Sequence, residues 1–261
     1  MLEIATATCS ERGQRDSNED LVRVARLGSR CLAILADGAG GHEGGAEASR
    51  RAVQGVEAAL AGAGIEFGAP ALTRAVRAAH AQVQHAQRHA EALGRMHSTV
   101  VTLWIDAQRA AVLWSHVGDS RLYRARHGIV ELLTADDSVV QRMVDAGLLT
   151  PQQAEVHPQK NQLIAALGVE DELHPHTLER PAALEEGDAF LLCSDGWWGA
   201  LDDADVAQAL EEADTPADWL GRMRRRIEAR DRPKQDNFSA IAVWADDPTE
   251  TTRPMAFSEE E

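Results

Sequence analysis

Four times in this chain an apolar, strand-like run meets an acidic turn: Leu35-Ala36-Asp37-Gly38, His116-Val117-Gly118-Asp119, Cys193-Ser194-Asp195-Gly196, and Gln235-Asp236-Asn237 ahead of the last run. A fifth acidic turn is Asn18-Glu19-Asp20. A single Asp-Gly is ordinarily just a turn, because glycine accepts left-handed backbone and aspartate bonds nearby amides. Recurrence at several strand ends constrains the fold far more. Packed sheets can deliver such carboxylates to one cleft, where they would repel strongly unless a divalent cation sat among them. Ligation by oxygen alone favours Mg²⁺ or Mn²⁺ over zinc or copper.

The remaining pattern supplies the scaffold. With 261 residues and 44% hydrophobic content, the chain can bury one large core. Short β-rich runs fall at 2–8, 21–26 and 31–36, the last continuously apolar as in a strand covered on both faces. A helical stretch at 46–60 is followed by a second in which Leu72, Val76, Ala79, Val83, Ala86, Ala90 and Leu93 step by four and three, forming one apolar stripe. Strands resume at 99–105, 111–117, 121–125 and 129–132, separated by turns such as Gly118-Asp119 and His127-Gly128, as in successive antiparallel hairpins. Residues 136–167 read as helical and then irregular, with Pro151 and Pro158, and predict a mobile flap. Further strands are expected at 173–178, 189–194 and 239–244, with helices entered at Asp202-Asp203 and at Thr215-Pro216. The acidic tail 247–261 lacks periodicity and is expected to be disordered. The pattern predicts one domain over 1–246 with an α+β fold. Its architecture is a four-layer α-β-β-α sandwich, two mostly antiparallel sheets packed face to face with helices on both outer faces.

Composition narrows the partners. A formal charge of −16 repels nucleic acid and anionic membranes alike. No apolar run reaches membrane-spanning length, and the first residues lack the pattern of a secretion signal, so a cytoplasmic location is expected. Cys9, Cys31 and Cys193, odd in number and widely spaced, suit reduced thiols.

The acidic turns also carry a family resemblance. Arg15-Asp16-Ser17-Asn18-Glu19-Asp20, Ala36-Asp37-Gly38-Ala39-Gly40-Gly41-His42, Val117-Gly118-Asp119-Ser120-Arg121, Leu192-Cys193-Ser194-Asp195-Gly196 and Asp236-Asn237 occur in the order found in bacterial type 2C serine/threonine phosphatases, the PPM family, which the chain resembles. Weaker matches at His97-Ser98-Thr99, Leu133-Thr134-Ala135-Asp136 and Ala166-Leu167-Gly168 extend the likeness over nearly the whole chain. The resemblance implies a two-metal centre of Mn²⁺ or Mg²⁺ with Asp37 bridging the ions. Asp195 and Asp236 would complete one site, the Gly38 carbonyl and Glu19 would serve the other, and Asp20 would be an adjoining carboxylate. Asp119 would hold a third, weaker ion. It further implies hydrolysis of phosphoserine or phosphothreonine by a water activated between the cations, with no covalent enzyme intermediate. Arg15, always charged and bidentate, would grip the phosphate. The implied partners are phosphorylated proteins, targets of a bacterial serine/threonine kinase.

The chain departs from that pattern at Ala39, where relatives have Met or His, and at Asp137, where bacterial relatives commonly have His. The leaving-group acid is therefore open, with His42 a candidate because histidine titrates near neutrality. Other readings compete. His85 and His89 lie four apart on a helix but opposite its apolar stripe, which suits a solvated face better than zinc. The basic run from Arg222 to Lys234 would either steer phosphoproteins or line a helix face. Cys9 and Arg15 have the Cys-x5-Arg spacing of thiol-dependent phosphatases without the flanking residues. A phosphoprotein-binding module without turnover is a further alternative, which the intact metal-binding pattern disfavours.

Overall fold

Phe190, Leu192, Ile241 and Val243 alternate along two neighbouring strands with Leu191, Ala240, Ala242 and Trp244, and all eight are buried. A sheet whose two faces are both apolar must be covered on both, and that requirement fixes the layering. The computed structural model describes residues 2–41, 43–62, 64–89, 96–170 and 172–246.

The chain opens with β1 (Ile4–Glu11), β2 (Asp20–Leu27) and β3 (Arg30–Ala39), then α1 (Glu43–Leu60) and α2 (Ala69–His89). Next come β4 (His97–Ser98), β5 (Val100–Asp106), β6 (Ala111–Val117), β7 (Arg121–Arg126) and β8 (Ile129–Leu132). Two short helices, α3 (Val139–Asp145) and α4 (Pro151–Glu155), precede β9 (His176–Thr177), β10 (Ala182–Ala183) and β11 (Ala189–Cys193). The last elements are α5 (Asp195–Trp198), α6 (Asp203–Glu211), α7 (Pro216–Ala229) and β12 (Phe238–Ala245).

One sheet has the order β1-β12-β11-β7-β8 and the other β10-β6-β5-β3-β2, with β4 added at the end of β3 and β9 beside β6. Every strand pair is antiparallel. Three apolar layers hold the stack together. Leu35, Val101, Leu103, Phe190, Leu192 and Ile241 fill the space between the sheets. Val53, Val56, Leu72, Val76 and Val83 of α1 and α2 cover the outer face of the second sheet. Trp219, Leu220, Met223 and Ile227 of α7 cover the first. The expected four layers are thus present.

Local chemistry sets the helix starts. Thr215 Oγ1 accepts from the Asp218 amide at 3.1 Å with Pro216 in the first turn, and Asp202 and Asp205 cap α6 reciprocally. The predicted stripe of α2 is buried at Leu72, Val76, Ala79 and Val83, while Ala90, Leu93 and the tail 247–261 lie outside the described residues. The strand expected at 173–178 shrinks to the two residues of β9, and β10 has too little apolar alternation to be read in advance. Residues 136–167 form α3, α4 and turns whose ends are tied together, since the Val139 amide donates to Gln162 O at 2.9 Å and the Ile164 amide to Asp137 O at 2.9 Å. No helix among the described residues is long and apolar enough to cross a membrane.

Candidate metal centre

Asp20 begins β2 and pairs directly across the ladder with Asp37, near the end of β3. Asp37 is fixed through its backbone. Its amide donates to Thr99 Oγ1 at 3.0 Å, its carbonyl accepts from the Thr99 amide at 2.8 Å and from Ser98 Oγ at 3.0 Å, and Thr99 Oγ1 lies 2.7 Å from Ser120 Oγ. The Ser98-Thr99 pair and Ser120 therefore act as a frame for one carboxylate. Asp119 follows β6, Asp195 is the first residue of α5, and Asp236 leads into β12, so separate chain segments bring their acids to the same end of the sandwich.

Burial, and after it the neighbouring carboxylates, oppose the ionisation of these acids. Burial, then Asp20, Asp195, Asp119 and Asp236, push the Asp37 carboxyl well above its usual range. Burial and the charges of Asp119, Asp236 and Asp20 do the same to Asp195. Burial raises Asp20 to about 6 and, with Asp136 and Asp137 adding to it, raises Asp119 to about 7. Asp20 Oδ2 accepts from Ser194 Oγ at 2.8 Å, and the same hydroxyl accepts from the Ser239 amide at 3.0 Å. Asp20 Oδ1 is buried and has no hydrogen-bond partner among the described residues. An orphaned carboxylate oxygen among repelling acids is the environment a hard cation relieves, and the donor set is all oxygen. These residues fit a centre of divalent ions.

The glycines let α1 approach that centre. A Cβ on Gly38 would run into the Gly45 carbonyl, and one on Gly45 into the Glu19 carboxylate, so β3, α1 and Glu19 meet where only hydrogen fits. Asn237 holds the loop that carries Arg15. It accepts from the Glu19 amide at 2.9 Å and donates Nδ2 to Arg12 O and Ser17 O at 2.8 and 2.9 Å. Arg15, 58% exposed, donates Nη2 to Asp236 Oδ2 at 2.6 Å and stands at the mouth of the cluster.

Asp119 is braced from behind. Trp198 Nε1 donates to its carbonyl at 2.9 Å, and the Arg121 guanidinium lies 3.7 Å from the Trp198 ring centre while clasping Asp136 with bonds of 3.0 and 2.8 Å. Trp197 is core. Ser194, Ser239 and Trp198 have roles that sequence reasoning missed, because small or apolar residues beside a motif carry no charge signature.

Two competing readings fall. The Cys9 thiol is raised to about 11 by burial and then by Glu11, and it sits in β1 opposite Ala240, so it is no phosphate-loop thiolate. His89 Nδ1 bonds the His85 carbonyl at 2.8 Å, as a solvated helix face does. Arg222 pairs with Asp218 and Glu212, Arg224 with Glu11, and Arg226 and Arg230 with Asp205. His42 lies outside the described residues. Among the described residues, one trio of ligating side chains brings one ligand atom each to within 4.8 Å of one another, and it lies outside the aspartate cluster of Asp20, Asp37, Asp119, Asp195 and Asp236: His116, Asp137 and His176.

The family model for Protein phosphatase 2C matches residues 9–239. The chain belongs to the protein phosphatase 2C family. The serine/threonine protein phosphatase PstP of Mycobacterium tuberculosis (strain H37Rv) is 37% identical over 210 residues, covering 78% of this chain but 38% of that protein. The chain therefore spans well under half the length of that curated relative. The protein phosphatase PhpP of Streptococcus pneumoniae (strain R6) is 34% identical over 199 residues, 74% of this chain and 78% of that protein. A crystal structure of the M. tuberculosis phosphatase superposes with a TM-score of 0.84 at 28% identity, covering 94% of this chain and 100% of the other. A PstP catalytic domain in complex with two manganese ions superposes at 0.82, with 28% identity and coverage of 95% and 100%. Like the sheet order and layers, these neighbours place the protein phosphatase 2C chain in the expected α+β sandwich.

Proposed function

We propose that this protein phosphatase 2C chain is a metal-dependent serine/threonine protein phosphatase acting on phosphorylated proteins, in opposition to a serine/threonine kinase and in the cytoplasm. The observation that carries the reading is the set of buried, mutually repelling aspartates, Asp20, Asp37, Asp119 and Asp195 with Asp236, and an Asp20 Oδ1 that has no hydrogen-bond partner among the described residues. Asp37 would be the shared ligand, with Asp195 and Asp236 completing one site and the Gly38 carbonyl with Glu19 serving the other beside the supporting Asp20 carboxylate; Asp119 would take a third ion. The manganese pair of the PstP catalytic domain supports Mn²⁺ as the ion. Bound there, the ions supply Lewis acidity toward phosphoryl oxygen and a nucleophilic water at neutral pH.

The remaining work falls to this chain's own groups. Arg15 donates from the mouth of the cleft, and an incoming phosphate dianion can take over the guanidinium face now turned to Asp236. Ser194 holds Asp20 and the Thr99–Ser120 pair holds Asp37, so the acids keep their positions without reorganising as charge develops. A binding module without turnover has no need of this framing. Phosphate release from a phosphothreonine peptide tests the assignment against thiol chemistry: activity should vanish in EDTA and persist in Cys9→Ser and after thiol alkylation. Chelator-resistant activity lost in Cys9→Ser would reverse it.

A further inference from the structure

His116, Asp137 and His176 form a second polar cluster, on the side of β6 where β9 pairs with it. One ring nitrogen of each histidine and one carboxylate oxygen of Asp137 lie within 4.8 Å of one another. His176 Nε2 is 2.9 Å from Asp137 Oδ1, and the two imidazoles stack with centres 4.9 Å apart and planes 20° apart. His116 is buried. Its Nε2 lies 2.8 Å from the Ala135 carbonyl, which can only accept, so Nε2 carries the hydrogen and the lone pair is on Nδ1. That Nδ1 is buried and has no hydrogen-bond partner among the described residues. Desolvation lowers its pKa and so favours the neutral ring, the form in which imidazole ligates. Asp137 is oriented in the same manner, its Oδ2 accepting from the Gly118 amide at 2.9 Å while Oδ1 faces His176.

We propose that His116, Asp137 and His176 form a binding site for a single transition-metal dication of the zinc class, separate from the aspartate centre. Two imidazoles and one carboxylate are the donors that such an ion accepts, whereas the aspartate cluster offers oxygen alone. The backbone carbonyl on His116 Nε2 and the backbone amide on Asp137 Oδ2 are the outer partners that fix ligating side chains. His176 has 55% of its side chain exposed, which leaves solvent access for a fourth ligand. Asp137 also exchanges backbone contact with Gly118, its amide donating to Gly118 O at 3.0 Å. An ion here would therefore tie β9 and the start of the 136–167 segment to the chain just before Asp119.

Cobalt absorption spectroscopy separates the two sites, because Co²⁺ with nitrogen ligands and low coordination number absorbs visible light far more strongly than six-coordinate Co²⁺ among oxygens. The EDTA-stripped full chain is titrated with Co²⁺, and the bound Co²⁺ is displaced with Zn²⁺. The expected result is an intense visible band that saturates at one equivalent in wild type, is retained in Asp37→Asn, and is bleached by Zn²⁺. His176→Gln, at an exposed position that leaves the core intact, should weaken Co²⁺ affinity at this band by about tenfold or more. Absence of the band in folded wild type, its loss in Asp37→Asn, or an unchanged affinity in His176→Gln would overturn the proposal, leaving the trio as a hydrogen-bonded pin between β6 and β9.

Discussion

Asp20 and Asp37 are direct partners across the β2–β3 ladder, so the fold holds two buried carboxylates side by side. Without a cation this pairing costs stability, and removing one charge should recover some of it. Asp37→Asn is expected to abolish phosphate release while raising the stability of the chelated protein by roughly 0.5–2 kcal/mol, as relief of active-site strain commonly does. Thermal unfolding in EDTA beside a turnover assay checks both halves; a lower melting temperature would contradict the electrostatic account.

The pH dependence has a definite sign. In the unfolded chain these aspartates titrate near 3.9, whereas Asp20 is raised to about 6 and Asp119 to about 7 in the fold. Between about pH 4 and 7 the folded protein therefore holds protons that the unfolded chain has released. Stability from these groups is fully present below pH 4 and is lost as pH rises through the folded values. The melting temperature in EDTA should fall between pH 5 and pH 8, and Mn²⁺ at pH 8 should reverse the loss. A flat profile in EDTA would count against the mutual repulsion.

Arg15→Lys keeps the charge and loses the planar fork. Because charge-assisted hydrogen bonds contribute about 1.5–3 kcal/mol each, kcat/KM for a phosphothreonine peptide should drop roughly 10- to 100-fold. Arg15 is largely exposed, so the melting temperature should stay close to wild type. An unchanged kcat/KM would remove Arg15 from phosphate binding.

Gly45→Ala separates helix propensity from close approach. In an ordinary helix the change stabilises by about 1 kcal/mol. Here the added methyl would enter the space of the Glu19 carboxylate and the Gly38 carbonyl, and overpacking should destabilise by about 1–3 kcal/mol instead. Calorimetric unfolding gives the sign directly, and half-saturation by Mn²⁺ should shift to higher concentration.

Much of this architecture was legible because charge and periodicity speak plainly. The acidic turns at Asp37, Asp119, Asp195 and Asp236 marked strand ends, and the stripe through Leu72, Val76, Ala79 and Val83 marked the buried face of α2. The groups that position the acids were not legible. Ser194 and Ser239 act through one hydroxyl and one amide, and their partners lie far away in sequence. Trp197 and Trp198 illustrate the limit, since adjacent identical residues have opposite tasks: one fills the core and the other bonds the Asp119 carbonyl. The cluster of His116, Asp137 and His176 was hidden because its members come from separate segments with no shared motif.

The most direct test of the central claim is the initial rate of phosphate release from a phosphothreonine peptide as Mn²⁺ is titrated into EDTA-stripped wild type and Asp37→Asn. A rate that rises from zero and saturates in wild type, with no rise in Asp37→Asn, is the expected result. Equal rates in the two proteins, or turnover by wild type before any Mn²⁺ is added, would contradict a reaction carried by ions on Asp37.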